Sequence, residues 1–236
     1  ELYVDANCSL DPTWARFLAE RLVEYDVSFF EEPVRDNDVA RMRDLREQTG
    51  MPLAAGQNEG QLFRFRDLLV GGAVDVIQPN VVICGGFTAG LKIAGMAQAH
   101  NVEIANGGAF PFHNMHLHAG LAHGGLVEWH LISVEMCKEL YTGLPDRTGS
   151  MLKLPETPGL GFTAIPEALR DFANRPTSRG GGKGREDGGK LEFGRRPPPE
   201  GAAQVAALCL RFHRWGGGRR GEPSTQRGGL PAGDPH

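Results

Sequence analysis

Short apolar runs alternate with amphipathic stretches along the first 130 residues, and this alternation narrows the possible folds more than anything else in the chain. Residues 1–7, 27–33 (VSFFEEP), 52–57 (PLAAGQ), 74–80 (VDVIQPN), 102–107 (VEIANG) and 126–130 (LVEWH) read as strands. Helical spacing fills the gaps. Behind the Asp11-Pro12 start signal, Trp14, Phe17, Leu18, Leu22 and Tyr25 share one face; Val39, Met42 and Leu45 do the same in residues 38–48. Residues 61–69, 88–100 and the His-rich stretch 114–122 are the other predicted helices. Parallel pairing needs crossovers of about a dozen residues, which these helices supply. The strands are continuously apolar, as when both faces are covered. The predicted class is α/β.

Polar residues recur at the strand ends. Asp5, Glu31, Gln57, Asn80, Asn106 and Glu128 follow one another at intervals of 26, 26, 23, 26 and 22 residues. One acid at a strand end is as often a helix cap or a solvated turn. The regular series is harder to explain that way, and in a (β/α)8 barrel all these ends face one mouth, where active sites are built. An open doubly wound sheet also binds ligands at its strand ends but has no ring to make six of them converge. Asp5 and Glu31, with Gln57 or Glu59, form an oxygen-only cluster suited to a hard cation such as Mg2+ and unsuited to zinc. A cation held there can bind a substrate carboxylate and stabilise the enediolate formed when the α-proton is removed.

Composition divides the chain. The net charge of −4 combines +5 on residues 177–236 with −9 on residues 1–176, and the last 60 residues hold 15 of the 33 glycines. This tail (GGGKGREDGG, RRPPPEG, RWGGGRRGEP) reads as disordered low complexity, of the kind a GC-rich gene gives out of frame or past a splice junction; only residues 202–212 suit a short helix. The mild acidity excludes a nucleic-acid footprint for the barrel portion, and no apolar run has the length of a membrane helix. Cys8, Cys84, Cys137 and Cys209 are widely spaced without a CxxC pair, so reduced thiols in a cytoplasmic protein are expected.

Five motifs occur in order: VDAN (4–7), FFEEP (29–33), AAGQNEG (54–60), DVIQPNVVICGGFT (75–88) and PGLGF (158–162). Together they resemble the enolase superfamily, and within it the mandelate racemase and muconate lactonising group with its sugar-acid dehydratases. The resemblance covers roughly residues 1–173. It implies a (β/α)8 TIM-type barrel, here partial with about six β-α units. The N-terminal cap and the first two barrel strands would lie upstream of Glu1, and the lysine base with them. Open edges are then expected at residues 1–7 and 126–130.

Carried over by resemblance, Asp5 and Glu31 are the first two Mg2+ ligands. The third, normally a glutamate, falls on Gln57. Either Gln57 coordinates through its carbonyl oxygen, or Glu59 substitutes, two residues on and about 6–7 Å further toward the mouth; Glu59 is favoured because Mg2+ gains more from a third carboxylate. The family's His-Asp dyad is missing: Asn80 stands in the Asp position and Asn106-Gly107-Gly108 in the His position. Glu128 matches the acid that hydrogen-bonds the substrate carboxylate, and Asn7, Asn58 and Asn106 are the expected substrate contacts. His113, nearest a strand end among the histidines at 113, 116 and 118, is the candidate acid or base, although such a cluster is more often packing.

The implied reaction is Mg2+-dependent removal of a proton α to a carboxylate, with dehydration of an aldonic or aldaric acid. The alternatives are a racemase or epimerase of the same group, or a non-catalytic truncated relative that keeps fold and metal without the base. The expected partners are a small carboxylate substrate and, in the full-length form, further copies of the chain.

Overall fold

The computed structural model describes residues 1–174 and 213–214. The other expectations for residues 177–236, including the helix at 202–212, lie outside the described residues. Strand and helix alternate as β1 (Leu2–Asp5), α1 (Pro12–Leu22), β2 (Val27–Glu31), α2 (Val39–Thr49), β3 (Leu53–Ala55), α3 (Leu62–Val70), β4 (Val76–Ile77), α4 (Gly86–Ala99) and β5 (Glu103–Ile104), with two short 3-10 turns between them. Helices α5 (Pro111–Ala119) and α6 (Leu131–Leu140) follow. Strands β6 (Tyr141–Thr142) and β9 (Thr163–Ala164) then pair around the hairpin β7 (Arg147–Thr148)–β8 (Met151–Leu152). Helix α7 (Pro166–Asn174) and β10 (His213–Arg214) complete the description.

Local chemistry sets the helix starts. The Asp11 carboxylate accepts from the Thr13 and Trp14 N–H groups at 2.9 and 3.0 Å, with Pro12 in the first turn. Asp38 caps α2 by accepting from Arg41 N–H at 2.9 Å. Each cap satisfies otherwise orphaned amides and contributes about 1 kcal/mol.

The sheet order is β10-β1-β2-β3-β4-β5, parallel throughout except for β10. Two sequence expectations change here. The β1 edge is not open, because β10 lies antiparallel on it with Leu2 opposite Arg214. Residues 126–130 form no strand. Asn106 N–H donates to Leu126 O at 2.7 Å, but the next bond runs from Glu128 N–H to the Asn106 side chain at 3.2 Å, so the backbone ladder stops after one rung. Gly125 crosses so close to β5 that a Cβ there would lie 1.9 Å from Ile104 O.

Alternation along the strands separates two cores. Val4, Phe30, Leu53, Ala55, Ile77 and Ile104 face the helices and pack with Phe65, Leu68 and Ile93. Tyr3, Phe29, Ala54 and Val76, one from each of β1 to β4, and Ala105 just after β5 form a layer on the opposite face. Each fully buried Phe or Leu contributes roughly 1.5–3 kcal/mol. At the other end of the sheet Asp75 ties three elements together, accepting from Arg46 Nε at 2.7 Å and Leu53 N–H at 3.0 Å. Among the described residues no helix is long and apolar enough to cross a membrane.

His118 on α5 is 5% exposed, neither ring nitrogen has a partner, and burial pulls its pKa down to about 4. An unfolded ring protonates near 6.5, so between these values the unfolded chain binds more protons and acidification removes stability. Comparing urea midpoints across pH, the parent is expected to lose about 3 kcal/mol relative to His118→Leu between pH 7 and pH 4. Parallel profiles would show that the native ring is solvated.

Candidate cation and carboxylate site

Two residues beyond the apolar layer, on the same face, the strands change character. Asp5 follows Tyr3, Glu31 follows Phe29 and Gln78 follows Val76. The parallel register sets Asp5 directly opposite Glu31. Glu31 keeps a little solvent contact but is densely surrounded. Its carboxyl is pushed well above the usual carboxylate range by desolvation and then by the neighbouring Asp5 charge, against a lowering hydrogen bond from Gln78; Glu128 and Glu32 add further repulsion. Asp5 is raised too, mainly by desolvation, although the Asn7 N–H donates to its Oδ1 at 2.7 Å. Every charge that acts on Glu31 is a carboxylate. Such a cluster is stabilised by a cation.

Gln78 had no place in the sequence reading. It is 2% exposed, bonds Glu31, and leaves its Oε1 without a partner. The signal was present, since position 78 shares the period of two with Val76.

The candidates for the third ligand separate. The chain leaves β3 at Ala55 and turns at Gly56 (φ +126), so Glu59 does not continue along an extended strand. Glu59 is instead held by Arg64, whose Nε and Nη2 each donate to one of its oxygens at 3.0 Å. Gln57 is buried, 5% exposed, and its Nε2 donates to Glu32 at 3.1 Å. Among the described residues no three His, Cys, Asp or Glu side chains gather as a metal cluster.

Other expected site residues serve the loop beyond β5. The Asn80 Nδ2 donates to Gly107, Gly108 and Ala109 carbonyls at 3.0, 2.8 and 3.2 Å. Its Oδ1 accepts from Val82 N–H and Asn114 Nδ2, both at 3.0 Å. Both ends of the amide are occupied, so Asn80 clamps the loop. Asn106 donates to Gly107 O at 2.8 Å and accepts from Glu128 N–H, while Glu128 Oε2 accepts from Ala109 N–H at 2.8 Å. Asn58 donates to Glu32 at 2.8 Å; Asn7 is exposed at the mouth beside Asp5. His113 packs in an aromatic cluster, its ring 5.0 Å from Phe162 and 5.6 Å from Tyr141, and burial lowers its pKa. The PGLGF turn supplies Phe162, which also meets Phe112.

Backbone strain collects at this end. Of nine non-glycine residues with positive φ among the described residues, seven (Asn7, Cys8, Glu32, Asp36, Asn37, Ala109 and Phe110) lie in loops that follow β1, β2 and β5. Strain of this kind persists where surrounding structure holds it and clusters at functional sites. The Cys8 thiol beside them is pushed up to about 12, first by burial and then by Glu32.

Comparison with known proteins gives the family of the fold. Residues 1–168 match the family model described as enolase C-terminal domain-like. L-rhamnonate dehydratase of Saccharopolyspora erythraea is 32% identical over 173 residues, 70% of this chain and 44% of that protein. A mandelate racemase/muconate lactonizing enzyme from a marine actinobacterium, solved in complex with magnesium, superposes with TM-score 0.64 at 32% identity, covering 72% of this chain and 48% of that one. L-talarate dehydratase from Polaromonas sp. JS666, complexed with Mg and L-glucarate, gives TM-score 0.65 at 26% identity over 71% and 46%. The chain thus spans about half the length of these relatives.

The Asn80 clamp has a direct check. Asn80→Asp keeps the shape but turns a donor into an acceptor facing three carbonyl oxygens, whereas Asn80→Ala only removes the bonds. In denaturant titrations at pH 7 the Asp variant is expected to be the less stable of the two, both losing at least about 2 kcal/mol. The gap is expected to close as the introduced carboxyl protonates. An Asp variant as stable as the parent would contradict the clamp.

Proposed function

Because the chain belongs to the enolase C-terminal domain-like family, we propose that Asp5 and Glu31 hold Mg2+ and that the whole protein removes a proton α to the carboxylate of a sugar acid. The carrying observation is the opposed, half-buried pair Asp5–Glu31, whose neighbouring charges are all negative. The ligand atoms of the pair are carboxylate oxygens, which fits a hard cation. A bound Mg2+ would neutralise the pair and draw charge from a substrate carboxylate as its α-proton leaves.

The chain's own residues divide the remaining work. Gln78 holds the Glu31 carboxylate from below. Asn7, exposed beside Asp5, is the proposed substrate contact. Glu128, tied to Ala109 N–H, fixes the loop that borders the mouth and supplies an acidic group against the substrate carboxylate. Dehydration removes the α-proton and the β-hydroxyl together as one water, and the resulting enol becomes a 2-keto acid. An aldonic or aldaric acid is the substrate class proposed, supported by the dehydratases among the relatives. Further copies of the full-length chain are its proposed partners.

A second reading has its own observation. Asn80 and Asn106 are amides engaged in the loop, and His113 lies among aromatic rings, so none of these three serves as a base beside the carboxylate pair. A relative that keeps the cation site without turnover fits this equally in the isolated chain.

Calorimetric titration with Mg2+ is expected to show binding in the parent and at least tenfold loss in Asp5→Ala and in Glu31→Ala. Both carboxyls are raised, so protons compete with the cation and affinity is expected to weaken on acidification while still above the ordinary carboxylate range near 4.5. Formation of 2-keto acid from a panel of aldonates and aldarates separates the readings: binding with turnover supports the dehydratase, binding alone the second reading. No binding in the parent overturns both.

A further inference from the structure

Glu32, the second glutamate of FFEEP, is wholly buried at 0% exposure and sits in left-handed backbone with φ +42. A buried carboxylate without donors is costly. Three side-chain amides supply them: Asn37 Nδ2 at 2.8 Å on Oε1, with Asn58 Nδ2 at 2.8 Å and Gln57 Nε2 at 3.1 Å on Oε2. None of the three is a cation.

This arrangement has one consequence for Gln57. A carboxylate only accepts, so the Gln57 atom that faces Glu32 is its NH2 group, and its Oε1 points elsewhere. That oxygen borders the Gly107–Gly108 backbone, where a Cβ on Gly108 would lie 3.3 Å from it. Gly107 also lies against the Glu31 carboxylate, a Cβ there falling 3.0 Å from Glu31 Oε1. Two oxygens, one from Glu31 and one from Gln57, therefore front a stretch of chain that has no side chain. Glu59, the carboxylate alternative, is engaged by Arg64.

We propose that Glu32 is a positioning residue: it locks the Gln57 amide with its oxygen toward the cation position, so that Gln57 is the third ligand. The inference rests on the cation reading above and goes beyond it. The site then carries one negative charge fewer than three carboxylates would give, and its third ligand is set by a buried acid that does not touch the cation. The pair is also exchangeable. Gln57→Glu alone sets two carboxylates face to face, whereas the double variant Glu32→Gln/Gln57→Glu restores a donor opposite an acceptor and makes the third ligand a carboxylate.

Two readouts on the full chain test this. Without metal, denaturant midpoints are expected to fall for Gln57→Glu and to recover in the double variant; a double variant no better than Gln57→Glu overturns the locked orientation. With Mg2+ in the calorimeter, Gln57→Ala and Glu32→Gln are each expected to weaken binding about tenfold or more, the second because the freed amide can turn. Glu59→Ala is expected to stay within about twofold of the parent, and the double variant to bind at least as tightly. Loss of binding in Glu59→Ala with none in Gln57→Ala overturns the assignment. A parent that binds no Mg2+ removes the cation reading and the ligand role with it, while the metal-free cycle still decides the orientation.

Discussion

The parallel register of β1 and β2 sets Asp5 across from Glu31 at the top of an otherwise apolar layer. Two carboxylates in that position repel each other, and burial makes the repulsion expensive. The surrounding residues manage that charge. Gln78 donates to Glu31 from the next strand but one, and the Asn7 N–H donates to Asp5. Neither neutralises a charge, so the repulsion between the two acids is relieved by a proton or by a cation between them.

A network of side-chain amides bonded to the loop beyond β5 gives the mouth its shape. Asn80, Asn106 and Asn114 bond the carbonyls of residues 107–110, and Glu128 takes the Ala109 amide. These bonds hold Ala109 and Phe110 at positive φ, a conformation that neither residue adopts without support. The Gly107–Gly108 pair at the start of this loop can then come down on Glu31 and Gln57 because neither glycine has a Cβ to collide with them. Charge-bearing and neutral residues thus share the work. The acids define a site, and the amides place its walls.

Where structure follows from local chemistry, the sequence was readable. The Asp11 and Asp38 caps fix α1 and α2 close to their expected starts, and the period of two picks out Asp5 and Glu31 as facing the same way. Legibility fails where the chain departs from its period. At Gly56 the strand has ended, so counting two residues on from Gln57 gives Glu59 a direction it does not have; Arg64 one turn later claims it. Residues 126–130 have strand composition, but the ladder beside β5 is broken where Glu128 N–H donates to the Asn106 side chain instead of the backbone. His113 stands near a strand end in sequence, yet its surroundings come from Tyr141 and Phe162, in later segments that no local pattern links to it. Glu32 was invisible for a related reason: only its left-handed backbone turns it away from the strand face and into a cradle of three amides.

Diffraction from crystals of the chain grown with Mn2+, recorded at the manganese edge, tests the cation site most directly. The expected result is one anomalous peak about 2.1 Å from carboxylate oxygens of Asp5 and Glu31 and from Gln57 Oε1. An empty carboxylate layer, or a peak held by Glu59 with Gln57 turned away, would contradict it.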